Sequence, residues 1–103
     1  MVHELTTAKF DEFIKEGVVL VDFWATWCAP CRMIQPTIEE LSEEMQTVKF
    51  AKVDIDANKE LATRYSIMSI PTLIIFKNGE PSDTIIGAAG KSKISKKIEN
   101  LLD

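Results

Sequence analysis

Cysteine is scarce in this sequence: the 103-residue chain has two, Cys28 and Cys31. That excludes the dense disulfide framework that holds small secreted domains together. A single bridge closing so short a loop would restrain the unfolded chain little. Histidine is scarcer still, with His3 alone, expected to be a solvated terminal residue. A structural zinc site wants four ligands, commonly two CxxC pairs or one pair with two histidines, so no metal is expected. Long apolar runs are missing too. None approaches the roughly 20 residues that span a bilayer, so no membrane partner is expected. Met1-Val2-His3-Glu4-Leu5 lacks a basic segment leading into an apolar core, so no secretion signal is expected and the cytoplasm is the default compartment. Positive charge is not in excess: the net charge is −4. Such a surface repels phosphate backbones, which argues against nucleic acid as a partner. Repeats, low-complexity tracts and linkers are also absent, so residues 1–103 are expected to form a single domain.

What is present is an ordinary globular balance. Apolar residues make up 46% and charged residues 27%, which argues against intrinsic disorder. A chain of this length buries roughly two-thirds of its unfolded surface and can fold without staples.

The pattern alternates between strand and helix. His3-Glu4-Leu5 reads as the end of a short first strand. Thr6 or Thr7 is placed to cap a helix carrying Phe10, Phe13 and Ile14 on one side, with Gly17 at its stop. Val18 to Ala25 is apolar on both faces, as a central covered strand is. Ile34, Ile38, Leu41 and Met45 mark a long helix, and Pro36 inside it predicts a kink rather than a break. Val48 to Ile55 is a third strand. Lys59 to Tyr65 is a short helix with Leu61, Ala62 and Tyr65 inward. Thr72 to Lys77 is a strand, Asn78-Gly79 a hairpin turn, and Pro81 to Ile86 the return strand, with Pro81 suited to an edge. Gly87 and Gly90 end it. Ser92 is placed to cap a last helix with Ile94, Ile98, Leu101 and Leu102 inward. The order β-α-β-α-β-α-β-β-α predicts an α/β fold: a three-layer α/β/α sandwich with a mixed central sheet of five strands and four helices.

The chemistry concentrates in Cys28-Ala29-Pro30-Cys31. A thiol does redox work as its thiolate. Cys28, at the strand-to-helix junction, can face unpaired N–H groups and the positive end of the helix dipole, which lowers a thiol's pKa. Cys31 lies in the first turn on the same side, able to attack Cys28 once Cys28 is bonded to a substrate. Pro30 fits that first turn, where its missing N–H costs nothing. Asp22 lies inside the apolar strand, opposite Phe23 by alternation. Buried there, its pKa would rise and it could accept and return a proton. A plain ion pair with a lysine is the other reading, with Lys52 the natural partner and Lys49 the second choice. Ile70-Pro71-Thr72 reads by itself as a turn proline starting a strand.

Taken together, Val21-Asp22-Phe23-Trp24-Ala25, Trp27-Cys28-Ala29-Pro30-Cys31, Pro36, Lys52-Val53-Asp54, Ile70-Pro71-Thr72, Phe76-Lys77-Asn78-Gly79 and Gly87-Ala88 resemble the thioredoxin family, from about Leu5 to Leu102. The resemblance implies a protein-disulfide reductase serving cell redox homeostasis and electron transfer. It needs no cofactor beyond the Cys28–Cys31 disulfide and is reset by an NADPH- or ferredoxin-linked thioredoxin reductase. It acts on disulfide-containing client proteins, as a monomer. It implies that Cys28 is the nucleophile and Cys31 the resolving thiol, with Asp22 and nearby Lys52 handling the Cys31 proton. It implies a cis Pro71 beside the cysteines, with the Ile70 backbone free to pair with a client chain. Trp27, Ile70, Gly87 and Ala88 would form a flat apolar docking surface, and Trp24 would pack beneath it, tied to Asp56. The family usually has glycine where Ala29 stands, and Met68 occupies a position that is often polar or basic. Two alternatives are an oxidase or isomerase of the same fold, and a non-catalytic docking domain.

Overall fold

The computed structural model describes residues 1–102. Asp103, the last residue of the expected domain, lies outside the described residues. The elements run β1 (Val2–Glu4), α1 (Thr7–Ile14), β2 (Val18–Trp24), α2 (Ala29–Glu44), β3 (Lys49–Asp54), α3 (Lys59–Arg64), β4 (Thr72–Lys77), β5 (Glu80–Ile86) and α4 (Lys91–Glu99). The strands form one five-stranded sheet in the order β1-β3-β2-β4-β5. β3 runs parallel to both β1 and β2. β4 is antiparallel to β2 and to β5. The mixed sheet and its four helices are those expected from the pattern.

β2 lies at the centre of the sheet, which is why its sequence is apolar on both sides. Successive side chains of a strand point to opposite faces. Val18 and Leu20 enter a core with Ile34, Ile38 and Leu41 of α2 and Ile94 and Ile98 of α4. Val19, Val21 and Phe23 enter a second core with Phe10 and Ile14 of α1 and Leu61 of α3. Two helices therefore cover each face, giving the three layers. Burying each large apolar side chain stabilises the fold by about 1.5–3 kcal/mol before the cost of ordering the chain is counted. By the same alternation Asp22 faces α2, not α1.

The β4–β5 turn follows from its sequence. Asn78 and Gly79 both have positive φ, 52° and 87°, the conformation that a two-residue hairpin turn requires and that Asn-Gly tolerates. Asn78 also fastens the turn to the start of β2. Its side-chain oxygen accepts from the Gly17 N–H and its own N–H donates to the Gly17 carbonyl, each at 2.9 Å. Pro81 lies on β5, the exposed edge strand, where a missing N–H is harmless.

Some local expectations are corrected. Ser92 does not cap α4: the helix starts at Lys91, Gly90 holds the cap position, and no side chain closes it. Thr6 holds the cap position of α1 but its hydroxyl makes no capping bond. Instead Asn58, from the start of α3, accepts the Thr7 N–H at 2.9 Å. Leu101 and Leu102 lie past the end of α4, yet both still pack against the α2–α4 core. Through Pro36, α2 is one helix rather than two.

Candidate active site

The end of β2 delivers the chain into a tight turn, where the Cys28 N–H donates to the Ala25 carbonyl at 3.2 Å. Cys28 then takes the cap position of α2 with extended backbone (φ −93°, ψ 106°), and Pro30 follows in the first turn. A helix start leaves N–H groups without internal partners. One of them, the Cys31 N–H, donates to Cys28 Sγ at 3.2 Å. The sulfur thus stands where a serine or aspartate oxygen would cap a helix, and this position favours negative charge. Arg32 holds the turn from outside, its Nη1 donating to the Thr26 carbonyl at 2.9 Å.

Cys28 and Cys31 are joined as a disulfide, with Cα atoms 5.3 Å apart. The two sulfurs are not equivalent toward solvent. Cys28 keeps 4% of its surface exposed and Cys31 none. An incoming disulfide can therefore reach Cys28 first.

The rim comes from three loops. Trp27 is 66% exposed, and its indole Nε1 donates to Asp56 Oδ2 at 2.8 Å. Ile70 packs against the cysteines, with its carbonyl oxygen 3.8 Å from Cys28 Sγ. The Ile70–Pro71 peptide is cis. Pro71 is buried, so it supports the rim from within rather than presenting its ring. Its carbonyl accepts the Gly87 N–H at 2.8 Å, which brings the end of β5 to the site. Gly87 is half-buried and Ala88, next to it, is exposed. Met68, two residues before Ile70, is 92% exposed. A hollow of about 640 Å³ lies at the opposite sheet edge, between β1 and α1, away from the cysteines.

Below the rim, Asp22 is fully buried. Burial pushes its carboxyl up to about 7, and a hydrogen bond from Gln35 and the positive charge of Lys52 pull the other way. Lys52 is the in-register neighbour of Asp22 on β3. Its Nζ lies 4.9 Å from the centroid of the Trp24 ring. Lys49, the second choice, is turned elsewhere: its Nζ donates to the Phe13 carbonyl at 2.6 Å.

Two features of the site differ from expectation. Asp56 binds Trp27, not Trp24. Strand alternation sends Trp24 inward, against the cysteine cluster, and its Nε1 is buried with no partner among the described residues. Trp27 follows in the turn and reaches outward. The second feature is Gln35, absent from the expected site. Its Nε2 donates to Asp22 Oδ2 at 2.6 Å. A signal existed, because Gln35 lies four residues after Cys31 and so shares its helix face. Pro36, beside it, is exposed.

Among the described residues no group of three or more His, Cys, Asp or Glu could hold a metal ion. No helix among them is long and apolar enough to cross a membrane.

The thioredoxin family model matches residues 1–100. The chain is 48% identical over 99 residues to a thioredoxin of Listeria monocytogenes, covering 95% of this chain and 96% of that one. It is 46% identical over 100 residues to a thioredoxin of Staphylococcus saprophyticus, covering 96% of each. A solved chain from work on thiol resolution in yeast mitochondrial 1-Cys peroxiredoxin via glutathione/thioredoxin systems superimposes with a TM-score of 0.90 at 32% identity, over 97% of this chain and 95% of that one.

Proposed function

The chain belongs to the thioredoxin family and is a protein-disulfide reductase reset by an external reductase; on that premise we propose how its residues divide the work. Cys28 is the nucleophile. Its thiolate attacks one sulfur of a client disulfide, a Cys28–client bond forms, and the other client sulfur leaves and takes up a proton. Cys31 is the resolving thiol. It gives up its proton to Asp22, attacks Cys28 Sγ, and expels the remaining client sulfur, which is protonated in turn. The products are a reduced client and the Cys28–Cys31 disulfide. Lys52 supports the charged form of Asp22 from β3. The observation that carries this reading is the Cys28 sulfur at the α2 cap, receiving the Cys31 N–H at 3.2 Å. A thiolate is favoured there and nowhere else in the pair.

Trp27, Ile70, Gly87 and Ala88 form the docking surface for an extended client segment, whose backbone pairs with Ile70. Pro71 shapes that surface from beneath. Residues 1–103 act as one domain and as a monomer, in the cytoplasm. No cofactor is needed beyond the disulfide. The reductase that resets it is NADPH- or ferredoxin-linked, and reconstitution with each type separates the two.

The mechanism is tested by turnover of an insulin-type protein disulfide. Cys28→Ser is expected to abolish it, and Cys31→Ser to accumulate a mixed disulfide visible by non-reducing electrophoresis. Unimpaired turnover by Cys28→Ser would sink the assignment.

A further inference from the structure

The two oxygens of the Asp22 carboxylate are in different states. Oδ2 accepts the Gln35 carboxamide N–H at 2.6 Å. Oδ1 is buried and has no partner among the described residues. An oxygen already holding a strong donor is a poor place for a second proton. A bare buried oxygen gains most from one. Gln35 reaches Asp22 from α2, the helix that carries Cys31, and sits one turn beyond that thiol on the same face. The residue that fixes the carboxylate and the thiol that must lose its proton are therefore held by one rigid element.

We propose that Gln35 is a positioning residue for the exchange reaction: it clamps Oδ2 of Asp22 so that Oδ1 is the oxygen that takes the proton from Cys31. This rests on the reading of Asp22 as the proton acceptor of Cys31. In the resolving step the Cys31 S–H bond breaks and its proton moves to Oδ1. The electron pair left on Cys31 forms the bond to Cys28, and the Cys28–client bond breaks with its pair on the client sulfur. Gln35 itself gains and loses nothing. The bond it donates also favours the ionised carboxylate, opposing burial in the same sense as Lys52. The charged group acting on Asp22 is Lys52, its neighbour in register on β3. On β4 its neighbour in register is the apolar Leu73.

The test compares wild type, Gln35→Met and Asp22→Asn. Methionine keeps the length of glutamine and removes the donor. The Asp22 carboxyl titration is followed by carbon NMR in the reduced protein. The resolving step is followed separately, as release of the second client sulfur from a preformed Cys28 mixed disulfide, across pH. Gln35→Met is expected to move both profiles upward together by about one pH unit, slowing the resolving step roughly fivefold at pH 7, with the attack by Cys28 unchanged. If the Asp22 titration does not move, or moves while the resolving profile stays, the positioning role is overturned. If Gln35→Met fails to fold, Gln35→Ala, a truncation at a half-buried helix position, gives the same comparison. Asp22→Asn separates the two ideas. If it leaves the resolving step untouched, the proton-acceptor reading fails and the Gln35 role with it. If it slows that step while the Gln35 variants do not, only the Gln35 role fails.

Discussion

The two faces of β2 differ in kind, though they alternate along one strand. The face toward α1 and α3 holds Val19, Val21 and Phe23 and nothing polar. Around it Phe10, Phe23, Tyr65 and Phe76 meet with ring centroids 5.3–6.5 Å apart. The face toward α2 begins the same way with Val18 and Leu20, then places Asp22 two residues on, fully buried. One face is optimised for burial. The other holds a single buried acid, whose carboxyl burial raises. An apolar residue there would complete the core, so the buried acid is a break in the packing of the kind that accompanies functional positions.

Breaking the apolar face should have the largest effect on folding. Phe10 is fully buried, and Phe10→Ala should cost about 3–5 kcal/mol through lost burial and the cavity left behind. Urea unfolding monitored by circular dichroism checks this. The folded fraction should keep its exchange rate per molecule, because Phe10 packs with Phe23, Tyr65 and Phe76 in the core on the α1 and α3 side of β2.

The acid-bearing face should show itself through pH. The Asp22 carboxyl is raised from 3.8 to about 7, so between those values the folded state binds more protons than the unfolded one. The contribution of this carboxyl to stability is then greatest below about pH 4, falls as pH rises toward 7, and levels off above it. The loss attributable to this carboxyl reaches about 4 kcal/mol by neutral pH. Urea midpoints measured from pH 4 to 8 should decline in wild type and flatten in Asp22→Asn. An equal decline in both would place the source elsewhere.

A smaller effect is expected where the apolar face meets its helix. Asn58 accepts the Thr7 N–H at the start of α1 and is itself nearly buried, so Asn58→Ala should cost about 1–2 kcal/mol. The loss should be independent of pH from 4 to 8, which distinguishes it from any change near Asp22.

What was legible in the sequence follows the same division. β2, the cysteine turn and the α2 stripe could be read because each rests on neighbours in sequence: two-residue alternation, a cap beside a proline, a helical repeat. Asp22 was legible as an acid inside an apolar run. The indole partner of Asp56 was not, because it depends on where the chain leaves β2. Trp24 still obeys strand alternation and points in, while Trp27 sits in the turn and points out. Ser92 misled because serine is a good cap wherever the helix starts one residue later, and Lys91 had already joined α4. The cap of α1 could not be read locally at all, since Asn58 comes from 51 residues along the chain. Gln35 was readable from its spacing to Cys31, but glutamine carries no charge or nucleophile to draw attention to the position.

The sharpest probe of the contrast has the least effect on stability. Lys52 pairs in register with Asp22, yet its ammonium rests over the Trp24 ring rather than against the carboxylate. It acts on Asp22 through charge and not through a direct bond. Lys52→Met keeps most of the side-chain volume and removes the charge, so Asp22 should titrate still higher. With the folded-state value raised further, the pH-dependent loss of stability should extend to higher pH while stability below pH 4 changes by no more than about 1 kcal/mol. Carbon NMR of the Asp22 carboxyl reads the shift directly. If it stays where it is in wild type, burial and the Gln35 bond set it without Lys52. The acid-bearing face would then be built by β2 and α2 alone.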